Sequence, residues 1–430
     1  MSDRKSYYQL ELERIMRFLI PAGTSVLDVG CGSADLLASL HASQGVGIDS
    51  DTALLDSAQQ AFPQIQFKAE SLKNLTIDRT FDYIIVRTAS INSSDHEKAM
   101  RQLKKISRPE TRIMLLACKR GGTDALQQFS SYLKNEDFEI IKKFNRFLIT
   151  THIPLISAFF NKILVNMPLL CRLSQTKICI MRLHKPRKPA SEIVCTVVIP
   201  CRNEKGNIEA AITRTPDMGK HTEFIFVEGH SQDETLQECY RIQKAYPGRD
   251  IKVLVQDGKG KRDAVYKGFA HARGDVFMIL DADLTVMPED LPLFFEVISS
   301  GTGEFVNGCR LAYRMEKNAM RTLNFFANKF FGIIFSYLLG QRMRDTLCGT
   351  KVFWKKDFSR IDEGRSYFGD FDPFGDFDLI LGAAKLNLRI VEVPIHYRAR
   401  TYGTTQISRF RHGLLLLKMT LFAMKKIKFI

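Results

Sequence analysis

The chain contains no Cys-x-x-Cys pair, and its nine cysteines (31, 118, 171, 179, 195, 201, 239, 309 and 348) are odd in number. Several sit inside apolar stretches, so reduced, buried thiols of a cytosolic protein are expected rather than a disulfide scaffold. No apolar h-region follows the opening MSDRKSYYQLELERIM, which argues against secretion. No window offers the roughly 20 clean apolar residues that a membrane span needs. The two most apolar windows, 323–340 and 413–430, are broken by Asn324, Asn328 and Lys329 and by Lys418, Lys425, Lys426 and Lys428. Zinc spacing, a recognition helix and an aromatic RNA motif are also missing, which sets a nucleic-acid partner aside. What is present is ordinary globular composition over 430 residues, 45% apolar and 25% charged, enough for two domains. A net charge of +15 calls for an anionic partner: nucleic acid, an acidic membrane surface or a phosphorylated substrate.

Strand and helix patterns alternate up to about Thr150 and again from Ser191 onward. Between them lie an apolar, proline-punctuated stretch, 153–183, and a basic HKPRKPAS, which reads as a linker. The expected division is therefore 1–150, 151–190 and 191–430. Both domains are expected to be α/β and doubly wound.

In the first part, SVLDVGCGSADLLASL, GVGID, FDYIIV and RIMLLAC are four apolar strand candidates separated by helical stretches. Gly30 and Gly32 fall in the turn after the first strand, where a backbone can approach a ligand closely. Asp49 ends the next strand, placed to accept hydrogen bonds from ribose hydroxyls. Residues 25–120 resemble class I S-adenosylmethionine-dependent methyltransferases, whose first motif is an acid followed by G-x-G-x-G. Asp28, Gly30 and Gly32 match it, and Ala34 stands at the third glycine position. The resemblance implies a Rossmann-like fold, S-adenosylmethionine as cofactor, Asp49 on its ribose and Glu70 near its adenine. No catalytic group or acceptor-binding insertion is evident after Val86, so methyl transfer stands beside a fold kept for cofactor sensing or docking.

The most informative stretch is 258–283. A Gly-Lys-Gly loop and a short helix precede an apolar strand, VFMIL, that ends in two carboxylates one residue apart. Alternate strand residues point the same way, so Asp281 and Asp283 emerge together at the strand's C-terminal end, where open α/β sheets hold ligands. Two hard oxygen ligands there suit Mg²⁺ or Mn²⁺ carrying a diphosphate. Upstream, CTVVIPCRNEKGN and EFIFVEGHSQDET deliver Asn203, Glu204 and Glu228 to the ends of two more strands.

The order P-x-x-N-E, V-E-G-x-S-x-D-x-T, G-K-G-K-x-D-A and D-A-D is similar to inverting, GT-A-type glycosyltransferases, and most of all to dolichyl-phosphate mannosyltransferases and their polyprenyl-phosphate relatives. The resemblance spans 191–419. It implies that Pro200, Asn203, Glu204 and Glu228 line the base and ribose pocket, that Lys259 and Asp263 face the nucleotide, and that Asp281 and Asp283 hold the metal. It also places Arg310, Arg344, Lys351 and Arg398 near an acceptor phosphate. A phosphate acceptor is already anionic and needs cations more than a base. Asp376 and Asp378, at a helix start, are the alternative: a general base for a hydroxyl acceptor, or acids that simply stabilise a helix N-terminus. The 324–339 and 413–430 stretches combine large apolar residues with lysines, as interfacial helices do.

The expectation is a cytoplasmic enzyme on the cytoplasmic face of a membrane, transferring a sugar from a nucleotide donor to a polyprenyl phosphate, with a methyltransferase-like domain fused to it. The competing readings are methyl transfer as the main activity with a nucleotide-sugar-binding second domain, and sugar transfer to a hydroxyl.

Overall fold

The computed structural model describes residues 5–91, 93–118, 137–167, 169–313, 322–368, 375–398, 400, 402 and 409–428. The chain divides into two units, Met1–Lys185 with Lys428–Ile430, and Pro186–Ile427.

The first unit is built on a seven-stranded sheet: β1 (Ser25–Val29), β2 (Gln44–Asp49), β3 (Gln66–Ala69), β4 (Tyr83–Arg87), β5 (Arg112–Cys118), β6 (Phe138–Arg146) and β7 (Thr176–Leu183). Their order is β3-β2-β1-β4-β5-β7-β6, parallel through β5. Alternate residues feed separate cores: Leu27, Val29, Ile84 and Val86 pack into one, Val26, Tyr83 and Ile85 into the other. Burial on both faces is why these strands read as continuous apolar runs. The chain goes from β1 outward to β3 and then returns to β4 on the other side. This switch point lies between β1 and β4, and there the C-terminal strand ends form a crevice.

The stretch taken as an apolar connection and linker is not one. β7 lies between β5 and β6, antiparallel to both, with nearly every residue buried. Residues 151–183 therefore belong to the first unit. Prolines 154 and 168 and the solvent-facing apolar residues before β7 hid an interior strand from a pattern search. The basic stretch that follows is fixed as well. Arg187, 6% exposed, pairs with Glu304 at 2.6 Å and Asp357 at 2.7 Å, and Lys188 pairs with Asp275 at 2.9 Å.

The second unit carries β8 (Val194–Cys201), β9 (His221–Glu228), β10 (Asp250–Val255), β11 (Val276–Ile279), β12 (Phe305–Cys309), β13 (Lys351–Trp354) and β14 (Ile390–Pro394). The order is β10-β9-β8-β11-β13-β12-β14. β13 runs antiparallel to both neighbours, so the sheet is mixed rather than wholly doubly wound. Its switch point falls between β8 and β11. Val198, Ile225 and Val227 pack into one core and Val197, Ile199, Phe224 and Phe226 into the other.

Replacing Arg187 by methionine strands two buried carboxylates. The expected cost is about 3 kcal/mol, read as a lower denaturation midpoint for the second unit. An unchanged midpoint would mean that the 184–190 stretch is only a tether.

Candidate active site

In the second unit β11 ends at Ile279, and the alternation continues one step further. Ala282 is buried while Asp281 and Asp283 are each partly exposed on the same side. Each carboxylate has its own cation. Lys261 Nζ lies 2.5 Å from Asp281 Oδ1, and Arg400 Nη2 lies 2.6 Å from Asp283 Oδ2. Asp283 Oδ1 also accepts from Thr285 N (3.1 Å) and Thr285 Oγ1 (2.9 Å), which fixes its rotamer.

Lys261 opens the helix Lys261–Ala270, immediately after Gly260, whose φ of +90° turns the loop into the helix. Burial alone would lower the Lys261 pKa, but the charges of Asp281, Asp376 and Asp283 prevail and raise it. Gly349 is required by proximity: a Cβ there would overlap the Asp281 carboxylate and the Lys261 ammonium. Two residues on, the fully buried Lys351 donates to Asp376 Oδ1 (2.7 Å) and to the Cys348 carbonyl.

Arg400 also joins two parts of the site, since its Nη1 donates to Glu204 Oε1 at 2.9 Å. Glu204 is 7% exposed and accepts from Asn207 Nδ2 (2.8 Å). Burial pushes its pKa up to about 7, against the opposing pull of Arg400 and Asn207; Asp283 and Asp233 add to the rise. Asn203, at φ +55°, donates its backbone amide to Ser231 Oγ (2.9 Å) and accepts from Gln232 N at its side-chain oxygen (2.7 Å). Glu228 accepts from Ser231 N (2.5 Å), and Pro200 is partly exposed near the end of β8. Asn203, Glu204 and Glu228 thus line one mouth, beside β8 and β9.

The remaining expected residues divide by environment. Asp263 Oδ2 accepts from Gly258 N (2.9 Å) and so shapes the Gly-Lys-Gly loop. Lys259 is exposed; the lysine at the carboxylates is Lys261. Arg310 is locked in a bidentate pair with Asp345, both bonds 2.8 Å, under the Tyr397 ring. Burial of Asp345 would raise its pKa, but Arg310 and Asn328 hold it at about 2. The Arg344 and Arg398 side chains are exposed, with their backbone amides held by Glu392 (2.8 Å) and the Thr285 carbonyl (3.1 Å). Asp378 is buried, with Arg262 at 3.5 Å and Arg365 at 3.8 Å.

Among the described residues no group of three or more Asp, Glu, His or Cys forms a complete metal cage. Two carboxylates at a strand end are nonetheless the donor set with which Mg²⁺ is held when substrate phosphates complete its shell. The residues present fit that arrangement.

In the first unit, Asp28 is fully buried and pairs with Arg87 (2.6 and 3.2 Å), which also donates to the Gly30 carbonyl. Burial raises the Asp28 pKa and Arg87 opposes the rise. Gly30 (φ +74°) lies against Ser90, where a Cβ would clash; Gly32 (φ +54°) faces open space and donates its amide to Asp49 Oδ2 at 2.9 Å. Ala34 adopts φ +59°, the conformation for which the motif's third glycine is suited. Glu70 accepts from Thr76 N and Oγ1 (3.0 and 2.5 Å), closing a loop beyond β3. Asp28, Gly30, Gly32 and Asp49 therefore converge at the β1–β4 switch point.

Residues 26–110 match the family model "Methyltransferase domain", and residues 196–361 match "Glycosyl transferase family 2". The chain joins a methyltransferase domain to a family 2 glycosyltransferase domain. Its sequence is 37% identical over 107 residues to a dolichol-phosphate mannosyltransferase of Saccharomyces cerevisiae, a span of 24% of this chain and 39% of that one. It is 35% identical over 109 residues to a dolichol-phosphate mannosyltransferase of Pyrococcus furiosus, covering 25% of this chain and 30% of that one. The chain thus spans well under half the length of the curated relatives it matches. Among solved structures, a glucosyl-3-phosphoglycerate synthase from Mycobacterium tuberculosis is 16% identical with a TM-score of 0.40, covering 55% of this chain and 80% of that one. A TehB-like methyltransferase from Corynebacterium glutamicum is 17% identical with a TM-score of 0.32, covering 42% and 90%.

Sequence reasoning missed Lys261 and Arg400 in the glycosyltransferase domain and Arg87 in the methyltransferase domain. Lys261 was visible as the second lysine of G-K-G-K, set apart only by standing on the helix rather than in the loop. Arg400 and Arg87 are distant in sequence from the acids they meet, and no spacing announces them.

Glu204 gives the glycosyltransferase domain a pH signature. Its carboxyl binds a proton more tightly folded than unfolded, so its own contribution to stability is full below about 4.5 and is lost as pH rises through about 7. In urea titrations across that window, Glu204→Gln is expected to flatten this decline. An identical pH slope in both proteins would contradict it.

Proposed function

We propose that the second unit is a metal-dependent, inverting glycosyltransferase that moves a sugar from a nucleoside diphosphate sugar to a polyprenyl phosphate. The observation that carries this reading is the pairing of Asp281 and Asp283 with Lys261 and Arg400 at the β11 end. Asp281 and Asp283 would hold Mg²⁺ or Mn²⁺, which when bound neutralises charge building on the leaving diphosphate. Lys261, the first helical residue after the Gly-Lys-Gly loop, adds a second positive charge on that side. Asn203, Glu204 and Glu228 would hold the base and ribose, with Pro200 and Asp263 shaping the walls.

A phosphate oxygen of the acceptor attacks the anomeric carbon as the bond to the diphosphate breaks. The nucleoside diphosphate leaves with the bonding pair, and no proton has to move. What such an acceptor requires is positive charge. Arg344 and Arg398, exposed, supply it directly, while Arg310 and Lys351, committed to Asp345 and Asp376, support the pocket. The hydroxyl-acceptor reading asks Asp376 or Asp378 to serve as base. It is less well supported, because Asp376 bonds Lys351 and Asp378 sits beside Arg262 and Arg365.

A lipid acceptor requires contact with a bilayer. The helix Thr322–Leu339 exposes Phe326, Phe330, Ile333 and Tyr337 along one stripe, and the helix Arg409–Ile427 exposes Leu414, Leu417 and Leu421. Among the described residues no helix is long and apolar enough to cross a membrane. We infer peripheral attachment by these stripes, on the cytoplasmic face. For the first unit we propose S-adenosylmethionine binding at the β1–β4 crevice, with Asp49 on the ribose and Glu70 toward the adenine. Methyl transfer to a glycan or lipid intermediate of the same pathway would explain the fusion.

Sugar transfer from a panel of nucleotide sugars to a short polyprenyl phosphate, with Mg²⁺ or Mn²⁺, is expected to fall roughly a hundredfold or more in Asp283→Asn and to vanish on chelation. Folded protein inactive with every donor would reject the lipid-phosphate acceptor. For the first unit, calorimetric titration with S-adenosylmethionine is expected to show binding weakened about tenfold or more by Asp49→Ala; no binding by the unaltered protein would refute the cofactor assignment.

A further inference from the structure

Residues 153–173 of the first unit turn an apolar surface outward. The segment comprises the helix Ile156–Lys162 and two 3₁₀ turns, Leu164–Asn166 and Leu170–Leu173. Its polar side chains are the ones fixed inward. Ser157 Oγ accepts from Ile153 N (2.8 Å) and donates to the Thr151 carbonyl (2.8 Å). Asn161, one turn further on, accepts from Leu148 N (2.8 Å) and Ile149 N (3.0 Å) and donates to the Ile149 carbonyl (2.7 Å). Both are buried.

Large apolar residues take the outer side. Leu155 is 88% exposed and Leu169 77%; Ile156, Phe159, Ile163 and Leu173 are exposed with them. This inverts the pattern of a water-facing helix, which buries its apolar stripe. Exposed apolar residues scattered singly need no explanation, but a contiguous group marks an interaction surface. Leu155 moreover adopts φ +62°, a left-handed conformation that leucine rarely takes.

Charge selects the occupant. Within 153–173 the chain has neither aspartate nor glutamate. Lys162 and Arg172 lie within the apolar segment itself. Large apolar side chains set beside these cations, with no carboxylate in the segment itself, match the boundary of an anionic bilayer, where the side chains enter the acyl region and the cations meet lipid phosphates.

We propose that residues 153–173 insert shallowly into the surface of an anionic lipid bilayer and give the first unit a membrane contact of its own, additional to the helices of the second. Sugar transfer is not needed for this, because binding to vesicles requires neither donor nor acceptor.

The test uses the full chain carrying Phe159→Trp, with vesicles of phosphatidylcholine alone or with phosphatidylserine. The native tryptophan, Trp354, is 6% exposed within the second unit and supplies a constant background. With anionic vesicles the introduced indole is expected to shift to the blue and to be quenched by brominated lipid, and to respond less with neutral ones. In a second protein, Leu155→Ser, Phe159→Ser and Leu169→Ser together are expected to weaken vesicle binding about tenfold without moving the thermal transition, since all three sites are exposed. An indole that stays water-like in vesicle-bound protein would overturn the proposal, as would a triple variant that binds like the parent. A blue shift that grows with protein concentration in lipid-free buffer would also overturn it, by making a second copy of the chain the occupant.

Discussion

Asp281 and Asp283 are two like charges set just beyond the end of β11, and the second unit meets each of them with a cation. Lys261 answers the first and Arg400 the second. To bring Lys261 in, the chain must leave the loop at Gly260 with positive φ and start the helix at once. The segment ahead of β13 passes so near this pair that a Cβ at Gly349 would displace the Asp281 carboxylate or the Lys261 ammonium. Arg400 in turn ties Asp283 to Glu204, which links the carboxylate pair to the end of β8. A diphosphate with its cation, bound as proposed, would meet charges already arranged for it. Little reorganisation is then needed during reaction, the condition under which electrostatic stabilisation is most effective.

The first unit meets a related constraint at its own switch point. Asp28 is wholly buried, and a lone carboxylate there would be costly. Arg87, from the neighbouring strand, compensates it and holds the Gly30 carbonyl as well. Asp49 meanwhile anchors the Gly32 amide.

Much of this was legible in the sequence. The parallel strands buried on both faces appeared as apolar runs, and the D-A-D after VFMIL announced two carboxylates just beyond β11. The glycine turn and Asp49 were visible for the same local reasons. What escaped notice depends on long-range pairing. β7 was hidden because its neighbours in sequence carry prolines and outward apolar residues, and the antiparallel turn of β13 has no local mark. Lys259 and Lys261 differ in sequence by only two positions, yet the helix start separates an exposed residue from one held in an ion pair with Asp281. Asp345, distant in sequence, takes the Nε–Nη2 edge of the Arg310 guanidinium, a pairing that no local spacing announces.

The carboxylate pair, the cations around it and the nucleotide mouth form one charge network, and the whole account depends on that network binding a diphosphate through a metal. The most direct measurement is calorimetric binding of nucleoside diphosphates to the full chain with and without Mn²⁺, in the parent and in Asp281→Asn. The account expects tight binding only when metal and both carboxylates are present. Equal affinity in all four arms would contradict it, because the diphosphate would then be held without the centre from which the mechanism is built.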